Sequence, residues 1–358
     1  MRLADWSLHI YELPYAREVV WSNARERSGL FALLKIVSES GATGIAEGTI
    51  KNTWSGVSPR ALRAAIEDVI LPAVRDADLA ADDAVYAALS RIPENRLAKA
   101  LVSNACWTMR AAAQKKPLWQ LLGGSAQAEV CWTVTRRPPA QMAAESAEYC
   151  ERYGFRTLKV KGGQGIETDL RALAEIRRAV GEQVALYVDA NAAYSREDAP
   201  EYVQQLADAG AIVAEDPSPL VPDAQFEALQ REARIAILVD GSCTSVRDEE
   251  LYVARGARAI QLKPGRVGLS ESLRISELAR QHNVKTALGI YAESALGTLV
   301  NLQLPTTMAA EQTFFLMMQA QVCTTLPEIR AGRVRLPPEP DLSKYVNWEA
   351  VQRYCVAP

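Results

Sequence analysis

Seven short apolar runs recur along the later two thirds of the chain, at residues 130–135, 157–161, 185–189, 212–215, 237–240, 259–263 and 286–290. Amphipathic stretches of about ten to fifteen residues separate them. Near-continuous apolar strands between helices are the pattern of a parallel sheet covered on both faces. Seven such units in a row favour a closed barrel over an open doubly wound sheet. The open sheet is the competitor, and it usually carries a glycine-rich phosphate loop after its first strand. The nearest candidate, Lys161-Gly162-Gly163-Gln164-Gly165, is a weak match and does not follow the first run.

The first part of the chain reads differently. Residues 2–13, 30–38 and 42–49 look like strands. Ser58 and Pro59 then supply an N-cap and a proline at the first helical position. Helical spacing of Ala and Leu follows over 59–75, 80–90 and 96–115. Strands followed by helices predict a separate α+β domain over 1–122, ended by Gly123-Gly124. The barrel would occupy 123–325, and the segment 326–358 would pack back on the first domain.

Composition narrows the chemistry. The formal charge of −3 gives no electrostatic footprint for nucleic acid. No apolar run approaches the ~18 residues of a membrane span, and Met1–Asp5 lacks a signal-peptide apolar core, so a cytoplasmic protein is expected. The six cysteines include no CxxC pair, and only His9 and His282 occur. A thiolate or histidine zinc site and a Ser-His-Asp triad are therefore disfavoured. Any metal would be held by oxygen, and any base would be Lys, Asp, Glu or Tyr.

Five successive runs each end in a charged residue: Lys161, Asp189, Glu215, Asp240 and Lys263, at intervals of 28, 26, 25 and 23 residues. That is one βα unit each time. Parallel strands would gather all five at the C-terminal rim, where barrel enzymes keep their chemistry. Three converging carboxylates raise each other's pKa unless a cation intervenes, and oxygen ligands suit Mg²⁺. Lys161 and Lys263 flank the acids and would approach a bound substrate from opposite sides. A carboxylate substrate chelating the metal becomes acidic at its α-carbon, so a lysine can act as base towards a metal-stabilised enediolate. In Lys159-Val160-Lys161 both lysines point to the same side of the strand. Lys159 would orient the substrate carboxylate or lower the pKa of Lys161. A lone carboxylate at a strand end is more often a helix cap or a loop salt bridge; the unbroken register of five is what points to a site.

These residues resemble the enolase superfamily, specifically its muconate-lactonizing subgroup. The motifs are Lys159-Val160-Lys161, Asp189-Ala190-Asn191, Glu215-Asp216-Pro217, Asp240, Leu262-Lys263-Pro264 and Gly289-Ile290-Tyr291-Ala292-Glu293-Ser294. The resemblance covers nearly the whole chain. It implies a modified (β/α)₇β TIM-type barrel under an α+β capping domain. It also implies Mg²⁺ (Mn²⁺ as the substitute) on Asp189, Glu215 and Asp240, with Lys161 and Lys263 as acid/base pair. Asn191 would support the metal shell and Glu293 would sit beside the substrate. Capping loops near 13–27 and 47–56 would select the substrate, with Trp21, Arg25 and Trp54 as candidate contacts. The mandelate-racemase branch has a histidine where this chain has Lys263. One departure is Asp240-Gly241, where the subgroup usually has Asp-Glu. The implied protein is a homo-oligomeric isomerase or lyase acting on a small carboxylate. The segment Glu311-Gln312-Thr313-Phe314-Phe315 resembles muconate cycloisomerases and favours that chemistry. Racemisation of an N-acylamino acid or dipeptide, o-succinylbenzoate-type dehydration, and a non-catalytic binding role are the alternatives.

Overall fold

The structure is a computed structural model that describes residues 1–356. Three antiparallel strands open the chain: β1 (Leu3–Val20), β2 (Arg25–Ser38) and β3 (Thr43–Ile50), in the order β1-β2-β3. β1 and β2 run well beyond the stretches 2–13 and 30–38. Pairing continues to Pro14↔Ser28, slips, and resumes at Val19↔Glu26 and Val20↔Arg25. The extension was hidden because Pro14 and the polar residues after it break the alternation that marks a half-buried strand. The expected loop 13–27 is therefore mostly the end of a long hairpin, with only residues 21–24 as its turn. In the second expected loop, residues 47–50 belong to β3 and Asn52–Ser55 form one helical turn.

The helical block follows. Ser58 Oγ accepts from Ala61 N at 3.2 Å, with Pro59 at the first helical position. The helix widens to π geometry over Ala65–Ile70, just before Pro72, whose missing N–H and ring disturb a regular ladder. The helix Arg96–Gln114 is buried along most of its length against β3. Thr108 Oγ1 pins the two together, accepting from Ile45 N and donating to Ile45 O, both at 2.8 Å.

The barrel strands are β5 (Trp132–Val134), β6 (Thr157–Lys161), β7 (Ala185–Asp189), β8 (Ala211–Glu215), β9 (Ala236–Val239), β10 (Ala259–Leu262) and β11 (Lys285–Leu288); a short β4 (Gln127–Glu129) precedes them. All pairs in this seven-stranded sheet are parallel, in sequential order. Residues 310–311 join its two edges: Cys131 N donates to Ala310 O at 2.8 Å and Glu311 N to Leu288 O at 2.7 Å. The sheet is thus a barrel, and the open doubly wound arrangement is set aside. Side chains alternate along a strand, so one inward layer is apolar, with Cys131, Tyr187, Val213, Leu238, Ala259 and Ala287 in one cluster. After Tyr187, Val213 and Leu238 the next inward positions towards the C-terminal rim carry Asp189, Glu215 and Asp240.

The end of the chain divides its contacts. β12 (Ile329–Arg330) and β13 (Arg333–Arg335) form a hairpin on β4. The helix Trp348–Tyr354 lies against β1, where His9 and Trp348 meet edge to face at 5.4 Å and Val356 N donates to Ile10 O at 2.9 Å.

One glycine is decisive for the seam between β3 and the long helix. A Cβ on Gly44 would lie 2.0 Å from the carbonyl oxygen of Ala105, a backbone atom with no room to move. Gly44→Ala is expected to destabilise the protein by about 3 kcal/mol or more, at the upper end of overpacking costs. A fall in the denaturant midpoint measures this; an unchanged midpoint would show that the helix can move away freely.

Candidate active site

The parallel register aligns the rim. Lys161 pairs with Asp189 across β6 and β7, and Asp189 with Glu215 across β7 and β8. Asp240 and Lys263 stand one residue beyond β9 and β10. Around the rim the order is Lys–Asp–Glu–Asp–Lys, with a lysine on each outer acid. Lys161 Nζ lies 2.6 Å from Asp189 Oδ2, and Lys263 Nζ contacts Asp240 Oδ2. Both lysines are partly exposed, at 14% and 13% of the side chain, and both line one cavity of about 280 Å³.

Lys159 lies below them and is fully buried. Its Nζ sits 3.0 Å from Asp189 Oδ2, 2.8 Å from Glu215 Oε1 and 2.9 Å from Glu311 Oε2. Burial pulls its pKa down, but the three acids outweigh that and hold it well above the ordinary lysine value. It lies in the barrel floor and is not among the residues lining the cavity.

The acids respond in opposite directions. Burial pushes Asp189 up, but Lys159 and Lys161 hold it well below the usual carboxylate range. Asp240 behaves likewise and is held at about 2 by Lys263 and Arg266 against its burial. Glu215, buried between two charged aspartates, is pushed well above its ordinary value. The protein's own cations therefore neutralise the outer acids and leave the middle one short of positive charge. Glu215 Oε2 and Asp240 Oδ1 are buried without a hydrogen-bond partner, though Arg266 lies 3.2 Å from the latter. Unsatisfied carboxylate oxygens on adjacent strands, all hard donors, fit a hard divalent cation. Among the described residues no three potential ligands are already gathered at ligand spacing.

The neighbouring backbone is strained to support this rim. Asn191, Ala192 and Asp216 have positive φ values of 50°, 57° and 36°. Asn191 thereby turns its N–H onto Asp189 Oδ1 at 2.8 Å and its Nδ2 onto Oδ2 at 3.1 Å. Asp216 accepts from Asp240 N at 3.1 Å and Gly241 N at 2.8 Å.

The remaining expected residues divide. Trp21 and Trp54 line the cavity, 5.0 Å apart edge to face, and Trp54 meets Tyr291 at 5.2 Å. Glu293 does not line it. It accepts from Tyr291 N at 2.7 Å and Asn301 Nδ2 at 3.0 Å in the wall behind, and burial pushes it up to about 7. Arg25 is outside, 71% exposed on the hairpin and 3.5 Å from Glu18.

Four residues were missed. Glu311 belongs to the floor, Arg266 contacts Asp240, Arg136 lines the cavity, and Lys51 holds the roof. Arg136 follows the first barrel strand closely, and this strand-end position, applied to β5 as to the others, could have found it. A larger cleft of about 590 Å³ lies between the cap helices and the loop after β9. It shares Gly241 with the rim cavity but contains none of the five charged residues, so the chemistry belongs to the smaller space.

Lys51 is nearly fully buried. Its Nζ stands 3.9 Å and 4.4 Å from the ring centroids of Trp21 and Trp54 and pairs with Glu26, which also accepts from Trp21 Nε1 at 2.7 Å. One cation thus ties the hairpin turn to the 52–55 turn. Burial pushes Lys51 down to about 8, against the opposing effect of Glu26. Raising the pH through that value should neutralise it and loosen the tryptophan pair. Tryptophan fluorescence is expected to titrate with a midpoint near 8 and to lose this phase in Lys51→Met; an identical titration in the variant would exclude the staple.

Comparison with known proteins agrees with this geometry. The family described as "Mandelate racemase / muconate lactonizing enzyme, N-terminal domain" matches residues 15–123, and "Enolase C-terminal domain-like" matches 141–350. The N-succinylamino acid racemase of Thermus thermophilus is 30% identical over 311 residues, covering 86% of this chain and 83% of that protein. Muconate cycloisomerase 1-1 of Acinetobacter lwoffii is 27% identical over 362 residues, covering 96% and 94%. The L-Ala-D/L-Glu epimerase of Bacillus subtilis, solved as a substrate-liganded complex, superposes with a TM-score of 0.88 at 25% identity, covering 96% of this chain and 98% of that one. The chain therefore belongs to the enolase superfamily, in its muconate-lactonizing-like subgroup, a family of metal-dependent isomerases and lyases.

Proposed function

We propose that this protein binds Mg²⁺ or Mn²⁺ at Asp189, Glu215 and Asp240 and racemises or epimerises a small carboxylate, such as an N-acylated amino acid or a dipeptide. The observation that carries this reading is the mirror order of the rim. Two lysines of similar exposure line one cavity from opposite ends of the acidic arc, each paired with an outer aspartate. A bound divalent cation supplies positive charge that stabilises the carbanion formed next to a carboxylate.

The chain's residues supply the rest. Lys161 removes the α-proton from one face and Lys263 delivers one to the other; the reverse reaction exchanges their roles. Each lysine is placed for this by its contact with an outer aspartate, Lys161 with Asp189 and Lys263 with Asp240. The Trp21–Trp54–Tyr291 roof keeps water from the intermediate. The relatives include an N-succinylamino acid racemase and a dipeptide epimerase, which suits a two-base site.

The segment that favoured cycloisomerisation is mostly framework, with only Glu311 of its five residues also lining the cavity. Glu311 holds Lys159 and Thr133, Gln312 Nε2 donates to Gly289 O at 2.7 Å, and Thr313 Oγ1 donates to Cys131 O at 2.8 Å. It supports the barrel whichever substrate is bound and gives no preference between products. One-base cycloisomerisation and dehydration would use the same rim.

Exchange in D₂O with single enantiomers of N-acylamino acids tests the two-base reading. Lys161→Ala should suppress α-proton exchange from one enantiomer and Lys263→Ala from the other, each by about a hundred- to ten-thousand-fold. Loss of exchange from both enantiomers in one variant alone would instead indicate a single base. Chelation should abolish exchange, and Mg²⁺ should restore it and raise the melting temperature. Asp189→Asn, Glu215→Gln and Asp240→Asn should each weaken that thermal shift. Full exchange by metal-free protein would overturn the metal assignment.

A further inference from the structure

We infer that Arg136 is the seat of a second anionic group on the substrate, so that the substrate is a dianion whose distal carboxylate selects it. This deepens the function proposed above and rests on it for the position of the first carboxylate. The guanidinium lines the same cavity as Lys161, Asn191 and Lys263. Two of its nitrogens are tied to the rim. Nε donates to Gly162 O at 2.6 Å, and Nη2 donates to Asn191 Oδ1 at 3.2 Å and to Ala190 O at 3.4 Å. Nη1 makes no hydrogen bond within the described residues, and Arg136 has no acid within ion-pair distance. Its near acids are already engaged. Asp189 is held by Lys159, Lys161 and Asn191, and Asp169 by Tyr194, Tyr202 and the amides of Gly163 and Gln164.

A half-buried guanidinium anchored through two nitrogens presents its third as a fixed donor. Arg side chains held in this way suit carboxylates, because the planar fork is pre-organised. The charge balance of the site points the same way. Arg136, Arg266, Lys159, Lys161 and Lys263 face Asp169, Asp189, Glu215, Asp240 and Glu311. The charges balance before any metal is added, and a divalent cation would leave two positive charges. A monocarboxylate would leave one of them uncompensated, whereas a dianion compensates both.

The alternative is that Arg136 only pins the turns at Gly162 and Ala190. Calorimetry with the Mg²⁺-loaded protein separates the two. The probes are the straight-chain dicarboxylates from succinate to pimelate and the monocarboxylates of equal chain length. At the length that spans the two positions, the dicarboxylate should bind about tenfold more tightly or better, the value of one charge-assisted contact. Arg136→Met should remove that preference while leaving the monocarboxylate affinity within about twofold of the parent, which also reports an intact site. Arg136→Lys should keep part of the preference, since the charge remains but the fork is lost. Absence of a dicarboxylate preference at every length, or equal weakening of both acid classes in Arg136→Met, would overturn the inference. Dicarboxylate preference in a protein that exchanges no α-proton in D₂O would uphold Arg136 and sink the proposed reaction.

Discussion

The fully buried ammonium of Lys159 is the interaction on which the catalytic end of the barrel depends. An apolar layer of Tyr187, Val213 and Leu238 lies beneath a layer of acids. Moving Asp189, Glu215 and Glu311 out of water would cost several kcal/mol each without compensation. Lys159 touches all three. A cation fixed by the strand register is a more dependable partner than water, which the packed interior excludes. Yet one ammonium among three carboxylates leaves a deficit, and it falls on Glu215, which has no second cation and whose Oε2 has no hydrogen-bond partner, whereas Glu311 is further held by Thr133 and Gln261. The fold thus preserves an acidic site that its own cations neutralise incompletely.

The cap is joined to this rim through polar contacts that also settle its position. Asn104, on the long cap helix, donates to Pro264 O at 3.1 Å and accepts from Leu269 N at 2.7 Å, next to Lys263 in the chain. Glu47 on β3 accepts from Ser294 N at 2.8 Å and from Tyr11 Oη at 2.5 Å, so it caps the start of the helix Ala295–Asn301. Such buried bonds leave little freedom between cap and barrel, because parting them would strand unsatisfied polar groups. The hairpin turn and the 52–55 turn are joined to each other instead by the contacts of Lys51 with Trp21, Trp54 and Glu26.

The barrel and its rim were legible because two periodicities coincide. Apolar runs repeat once per βα unit, and a charge stands at the end of each, so Lys161, Asp189, Glu215, Asp240 and Lys263 could be placed together before any contact was known. What stayed hidden depends on contacts between distant segments. Lys51 and Trp21 are thirty residues apart, and nothing local in Lys51-Asn52-Thr53-Trp54 announces a cation between two indoles. The hairpin end at 14–20 and 25–29 lacks clean alternation, so the strand was cut short and Arg25 was assigned to a loop facing the substrate. Glu293 was near enough in the chain to suggest contact, but Tyr291 N and Asn301 turn its carboxyl into the wall.

The replacement of the usual acid by Gly241 fits the same electrostatic logic. A carboxylate there would stand beside Asp240 and Asp216, adding negative charge where Glu215 already lacks compensation. Here the position has no side chain, and the space around Asp240 is served by Arg266, whose Nη2 donates to Asp240 O at 3.0 Å and Cys243 O at 3.1 Å. The local balance moves towards positive charge even though the whole chain carries −3. These two facts are compatible because they act over different ranges. Surface charge is screened within about 8 Å at physiological ionic strength, whereas charges facing a cavity of low polarity are screened much less. An anion approaching the protein therefore meets weak repulsion at a distance and attraction once inside the cavity mouth, so selectivity resides in the cavity wall and not in long-range steering.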